Sequence, residues 1–235
     1  MPYPKPNKTE RSKGYFAGKK DQGEILPFGR DQMANIQKAK KFLIVCEGIN
    51  TERAYFESFP VVQMDIVTVI GGFPGGKQYL VREALKLSAK VEYKNHEVWC
   101  IFDFDVKYDN LKQKDDFNAA IQLGLANSFK MAFSNDAFEL WFVLHYKLIH
   151  SQHHRKEYFD MLTEKWDLEH SYESMGKEEE FCKTIYKKLL PHQNMAMKHA
   201  EKLFNEKNDG RPYHEMNPCT KVFELVKELN KYIRR

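Results

Sequence analysis

The sequence predicts an α/β domain: a mainly parallel four-stranded sheet flanked by helices, with a helical C-terminal extension. Three observations predict it. Short apolar, β-branched runs alternate with helical periodicity from residue 39 to about 150, the pattern of strands joined by helical crossovers. Two of those runs stop abruptly at acids, Glu47 and Asp103, and open parallel sheets bind ligands beyond their strand ends. After about His150 the strand signals fade and amphipathic helical patterns take over. The expected division is an irregular arm over 1–38, the α/β domain over 39–150 and the helical region over 151–235.

The arm is rich in Pro, Gly, Lys, Asn and Gln and has no sustained apolar periodicity. Residues 1–40 carry nine Lys/Arg against four Asp/Glu, although the whole chain is only +4. A basic leader on a nearly neutral body suits contact with nucleic acid. It equally suits a solubilising, poorly ordered segment.

The first strand is Lys41–Cys46, continuously apolar from Phe42 on, as a strand buried on both faces must be. Glu47-Gly48 ends it, and Asn50 and Thr51 supply N-cap chemistry for a helix from about Thr51 to Phe59. Met64–Ile70 is the second strand. It runs into a Gly-rich turn and then a helix from about Gln78 to Val91. The third strand, Glu97–Phe102, ends in Asp103-Phe104-Asp105. A loop to Leu111 and a helix from about Asp115 to Ala126 follow. The fourth strand, Phe129–Phe133, leads into Ser134-Asn135-Asp136, where another helix begins and carries Phe138, Leu140, Trp141, Val143 and Leu144. Further helices are predicted at Lys156–Lys165, Lys177–Leu190, Met195–Asn205 and Thr220–Arg235, separated by Pro191, Gly210 and Pro212, and Pro218.

Composition narrows the class. At 235 residues, 42% hydrophobic and 14% aromatic, the chain fits one large domain, or a domain with a helical appendage. No run approaches the roughly 20 apolar residues of a membrane helix, and the N-terminus lacks the apolar core of a signal peptide. The expectation is a cytoplasmic protein with no membrane partner. Cys46, Cys100, Cys182 and Cys219 form no CxxC pair, which argues against structural zinc and a disulfide framework.

The acids carry the chemistry. Glu47 follows the first strand, Glu52 opens the next helix, Asp103 and Asp105 follow the third strand, and Glu139 lies early in the helix after the fourth. Alternation along an extended segment points Asp103 and Asp105 the same way across Phe104. Crowded carboxylates raise one another's pKa unless a cation neutralises them. Hard oxygen ligands suit Mg²⁺ or Mn²⁺, ions that clamp phosphate oxygens during phosphoryl transfer. The competing reading is that these are loop acids capping nearby helices.

The same residues resemble a known family. Glu47-Gly48 after one strand and Asp103 with Asp105 after a later one resemble the Toprim domain of topoisomerases, primases and OLD-type nucleases. The closer likeness is to the RloB-like family, over Leu43–Glu52, Phe102–Asp105 and Ser134–Trp141, with Asn217-Pro218 similar to its C-terminal region. The likeness spans roughly residues 40–232. It implies a Toprim-like sheet and a divalent-metal-dependent nuclease acting on DNA or RNA, tRNA included. It implies that Glu47, Asp103 and Asp105 hold Mg²⁺ or Mn²⁺ and assist proton transfer. Glu52 matches a second metal-binding Glu of OLD-type relatives, at a spacing one residue longer. Glu139 comes from the RloB-like segment, as a catalytic residue or an orienting one. The resemblance also implies anti-phage defence, with abortive infection, beside an ABC-type ATPase partner. A non-catalytic nucleic-acid- or protein-binding subunit of a defence complex is the alternative.

Other features remain open. Gly71 to Lys77 nearly matches a phosphate-cradling P-loop between strand and helix. Gln78 stands where Ser or Thr would bind Mg²⁺, and Pro74 interrupts the turn. NTP hydrolysis, a nucleic-acid phosphate held by Lys77, or a plain connection are the three readings. His150, His153 and His154 read as a solvated turn, and Trp141, Phe142 and Tyr146 as core. Tyr213 and His214 lie in a polar loop within reach of nucleic acid.

Overall fold

Every side chain from Phe42 to Cys46 is buried, and alternation divides them between two cores. Phe42, Ile44 and Cys46 enter one; Leu43 and Val45 enter the other. A strand covered by helices on both faces requires such an unbroken apolar run. In the computed structural model, which describes residues 40–61, 67–73, 75–105 and 110–233, this strand is β1 (Lys41–Cys46). The expected basic arm, and Met64–Ile66 of the expected second strand, lie outside the described residues.

β1 lies between β2 (Val67–Ile70) and β3 (His96–Ile101), and β4 (Lys130–Met131) adds to β3. The order is β2-β1-β3-β4, and all pairings are parallel. The connecting helices are α1 (Thr51–Glu57), α2 (Lys77–Ser88) and α3 (Leu111–Ala126). The protein is therefore an α/β fold with a four-stranded parallel sheet and helices on both faces. α2 and α3 cover one face, placing Leu80, Val81, Ala84, Phe117, Ala120 and Ile121 against Leu43, Val45 and Cys100. α1 lies on the other with Tyr55 and Phe56.

The remaining helices are α4 (Glu139–Val143), α5 (Arg155–Lys165), α6 (Tyr172–Met175), α7 (Glu179–Leu189), α8 (Gln193–Lys207) and α9 (Val222–Leu229). They share the core that holds α1: Trp141, Tyr158, Ile185, Leu203 and Leu225 are all buried with Phe42 and Ile44. Tyr232, just past α9, meets Phe42 edge to face at 5.5 Å between ring centroids. No helix among the described residues is long and apolar enough to cross a membrane.

Two local features differ from the sequence reading. The fourth strand contracts to Lys130–Met131, and Ser134–Asn135, expected to open a helix, is instead a strand, β5. It pairs antiparallel with β6 (Cys219–Thr220), in the region where no strand was expected. Ser134 still follows the end of β3: its N–H donates to the Phe102 carbonyl, and its own carbonyl accepts the Phe104 N–H. Its hydroxyl shares a 2.8 Å hydrogen bond with that of Thr220. A two-residue strand has no period to read, and here long-range pairing decides the conformation. The helix that follows is correspondingly short, beginning only at Glu139.

Candidate active site

Strand order fixes where the acids meet. The chain leaves β1 toward β2 on one side and returns to β3 on the other, so a crevice opens beyond the carboxyl ends of β1 and β3. Cys46 pairs with Ile101 in the register of those strands. The next residue, Glu47, donates its N–H to the Ile101 carbonyl at 3.0 Å. Glu47 and Asp103 thus emerge from neighbouring strands at the crevice.

The third-strand acids face one cation. Arg155, the first residue of α5, bonds Asp105 Oδ1 through Nη1 at 2.6 Å and Asp103 Oδ2 through Nη2 at 3.0 Å. Both carboxylates therefore lie on one side, as alternation requires, while Phe104 turns into the core beneath α3. Asp105 departs from a plain extended segment: its φ of 52° is left-handed, a conformation that costs a non-glycine residue roughly 1 kcal/mol and gathers at functional sites. Its N–H is satisfied by the Asp136 carbonyl, and the Asp136 carboxylate accepts the Arg155 N–H at 3.1 Å. Burial works against the charge on Arg155, but Asp103 and Asp105 together hold its pKa above the ordinary value.

Glu52 and Glu139 lie behind them, each only 8% exposed. Burial, then the charge of Asp103, pushes the Glu52 carboxyl up to about 8; Glu139 and Glu47 act in the same direction. Glu139 is pushed up to about 7, again by burial first and Asp103 next, and its Oε1 accepts the Tyr172 hydroxyl at 3.3 Å. Space for Glu52 comes from Gly48: a Cβ there would fall 1.9 Å from Glu52 Oε2. The five acids from the sequence therefore feel one another across one site.

Lys77 is placed among them. Its side chain is 7% exposed, and its ammonium bonds both oxygens of Glu47, at 2.6 and 2.5 Å. Burial opposes its charge, yet Asp103 and Glu47 hold its pKa above the ordinary value, while burial and Asp103 raise that of Glu47. The Gly-rich turn before it braces the acid loop. Phe73 N–H donates to the Glu47 carbonyl, and Gly71 passes so close to Gly48 that a Cβ would meet its carbonyl oxygen at 2.4 Å. Asp116 of α3 accepts the N–H groups of Lys77 and Gln78 at 2.7 and 3.2 Å. In a P-loop those donors and the lysine hold phosphate; here carboxylates hold all three.

Sequence reasoning missed Arg155, Asp116, Asp136 and Tyr172. Asp136 lay within the Ser134–Trp141 segment and Arg155 directly after His153-His154, but neither was given a role. The histidines behave as a turn: His154 caps α5 in a reciprocal capping box with Glu157, which also bonds His153 Nδ1 at 2.8 Å. Trp141 and Phe142 are fully buried.

Hard carboxylate oxygens gathered in one place suit a divalent cation, and burial first, then the charge of Asp103, raises the pKa of Glu47, Glu52 and Glu139. Among the described residues, no three His, Cys, Asp or Glu side chains stand in a geometry that closes on one ion. The oxygens of Glu47, Asp103 and Asp105 are instead turned onto Lys77 and Arg155, which neutralise part of their charge. The donor set therefore fits Mg²⁺ or Mn²⁺ in kind, with Lys77 and Arg155 supplying the positive charge in this structure.

Residues 42–229 match the model of one protein family, described as RloB-like protein. No curated protein and no solved structure matches the chain.

Proposed function

The chain belongs to the RloB-like protein family, and from that membership and the acidic crevice we propose a divalent-metal-dependent nuclease of Toprim-like fold that hydrolyses DNA or RNA. The observation that carries this reading is the emergence of Glu47 and Asp103 from adjacent parallel strands, with Glu52, Asp105 and Glu139 coupled to them. Glu47, Glu52, Asp103 and Asp105 would hold Mg²⁺ or Mn²⁺. Such an ion supplies charge for phosphate oxygens and eases deprotonation of an attacking water.

The chain's own residues supply the rest. Glu139, which is not among the metal-holding acids, is tuned toward neutral pH, the range in which a carboxyl both takes and returns a proton. The Arg155 guanidinium already bridges two carboxylates, and the same fork fits two oxygens of a phosphate. Lys77 offers a second cation beside Glu47. The sequence resemblance adds the setting: an anti-phage defence effector, with an ABC-type ATPase as partner.

The second reading is a non-catalytic binding subunit. It is favoured by the ion pairs themselves, since Lys77 and Arg155 already neutralise acids that a nuclease would give to metal. Labelled DNA, RNA and tRNA, incubated with Mg²⁺ or Mn²⁺ and with or without the ATPase, separate the two. The nuclease reading expects cleavage that Asp103→Asn lowers by about 100-fold or more while strand binding persists. Absence of cleavage in every combination replaces it with the binding reading.

A further inference from the structure

A second concavity opens on the same edge of the sheet. It is a cavity of about 620 Å³, within the roughly 300–1,000 Å³ of small-molecule sites. Phe104, which lies between Asp103 and Asp105, lines it together with Asp136. None of the five acids assigned to chemistry does. The sides come from distant segments: Lys114 from α3, His153 and His154 from the approach to α5, and Arg211 and His214 from the loop after α8.

The balance of charge selects the occupant. Lys114 and Arg211 share the lining with the carboxylates of Asp136, Glu157 and Glu215, and Arg211 is already paired with Asp209. A phosphate would meet more negative than positive groups there. A flat, uncharged group with both donors and acceptors suits this mixed wall. The imidazoles add planar faces, and two of them are anchored: His153 Nδ1 lies 2.8 Å from Glu157, and His214 Nδ1 lies 2.7 Å from Asn118. Histidine rings stack on nucleobases, and anchored rings lose little freedom on doing so.

We propose that this cavity takes one unpaired nucleobase of the strand whose phosphate is held beside the acids by the Arg155 guanidinium. The proposal rests on the nuclease reading and adds substrate class: a paired base cannot enter without leaving its stack, so the chain prefers single-stranded or locally opened nucleic acid to a closed duplex.

The test uses the full chain and a short single strand carrying one 2-aminopurine, as DNA and as RNA, beside the closed duplex of the same sequence. In EDTA, the single strand is expected to bind about tenfold tighter than the duplex, and 2-aminopurine emission to change on binding. His214→Ala and the more exposed His153→Ala are each expected to weaken strand binding about fivefold or more and to reduce the emission change. With Mn²⁺, His214→Ala should lower strand cleavage relative to hydrolysis of bis(p-nitrophenyl) phosphate, a diester with no base, by about tenfold. Equal affinity for strand and duplex, or wild-type binding and emission in both variants, overturns the proposal. If the wild type hydrolyses bis(p-nitrophenyl) phosphate while the 2-aminopurine stays silent, the base site alone fails. If it binds with the emission change and hydrolyses neither substrate, the nuclease reading fails and the cavity stands as a strand-binding site.

Discussion

Glu52→Gln should make the metal-free protein more stable in alkaline buffer. The carboxyl of Glu52 is buried, and burial and Asp103 push its pKa from 4.5 to about 8. A group whose folded pKa lies above its unfolded value gives its full stabilisation below the unfolded value. That stabilisation is lost as pH rises toward the folded one. The interval is worth up to about 5 kcal/mol, and relaxation around the charge brings the expected figure to about 2 kcal/mol. Glutamine keeps the shape and never ionises, so in EDTA at about pH 8 the variant should exceed wild type by about that amount, or roughly 4–8 °C in Tm. At about pH 5 the gap should shrink, because the wild-type carboxyl is then protonated in the folded state. Thermal and urea unfolding at both pH values measure it, followed by a Mn²⁺ titration. A bound ion stabilises the fold by mass action, and losing one ligand should shrink that gain. A variant less stable than wild type in EDTA at pH 8, or a gap unchanged with pH, would refute the reasoning.

Three further expectations follow. His145 is fully buried; its Nδ1–H donates to the Trp141 carbonyl, its Nε2 has no hydrogen-bond partner among the described residues, and burial, with His192 nearby, lowers its pKa to about 4. Stability should therefore fall as pH drops from about 6.5 to 4, by up to about 3 kcal/mol, a slope that acid-range urea titrations should find flattened in His145→Gln. Arg155→Ala removes the cation shared by Asp103 and Asp105 and should cost about 1–3 kcal/mol in chemical denaturation. Arg155→Lys should restore less than about a tenth of any cleavage, since an ammonium does not reproduce the planar fork. The two neighbouring glycines should part company. In Gly48→Ala the clash is with the end of the Glu52 side chain, which can turn aside, so stability should fall less than in Gly71→Ala while Mn²⁺ affinity drops about tenfold. In Gly71→Ala it is with backbone, and stability should fall by about 2 kcal/mol or more.

The sheet was legible because burial on both faces leaves no choice of side chain: Phe42–Cys46 and Val98–Phe102 read as strands from apolar runs alone. Glu47 and Asp103 were legible for the complementary reason, as charges placed where such runs end. The partners of those acids were not. Arg155 is one cation at the start of a helix whose apolar pattern says only that it packs, and its contact with Asp103 spans 52 residues. Lys77 was visible in a motif, but the motif suggests phosphate, whereas the site holds its charge with Glu47 and fills the loop's N–H groups with Asp116. That exchange depends on α3 lying beside α2, which no local spacing records. The pairing of Ser134–Asn135 with Cys219–Thr220 escaped for the same reason.

The division of β1 between two cores has a consequence for the order of events during synthesis. Leu43 and Val45 are covered by α2 and α3, which leave the ribosome soon after them. Phe42 and Ile44 share their core with residues of α8 and α9, more than 150 positions later in the sequence, and Phe42 also meets Tyr232. The nascent sheet therefore has α1 on this face but lacks the rest of its cover until α8 and α9 have been made, and contacts so distant in sequence are slow to form. Through that interval apolar surface is presented to solvent and to neighbours, so the yield of intact protein should respond to chaperone supply and to translation rate through α8 and α9.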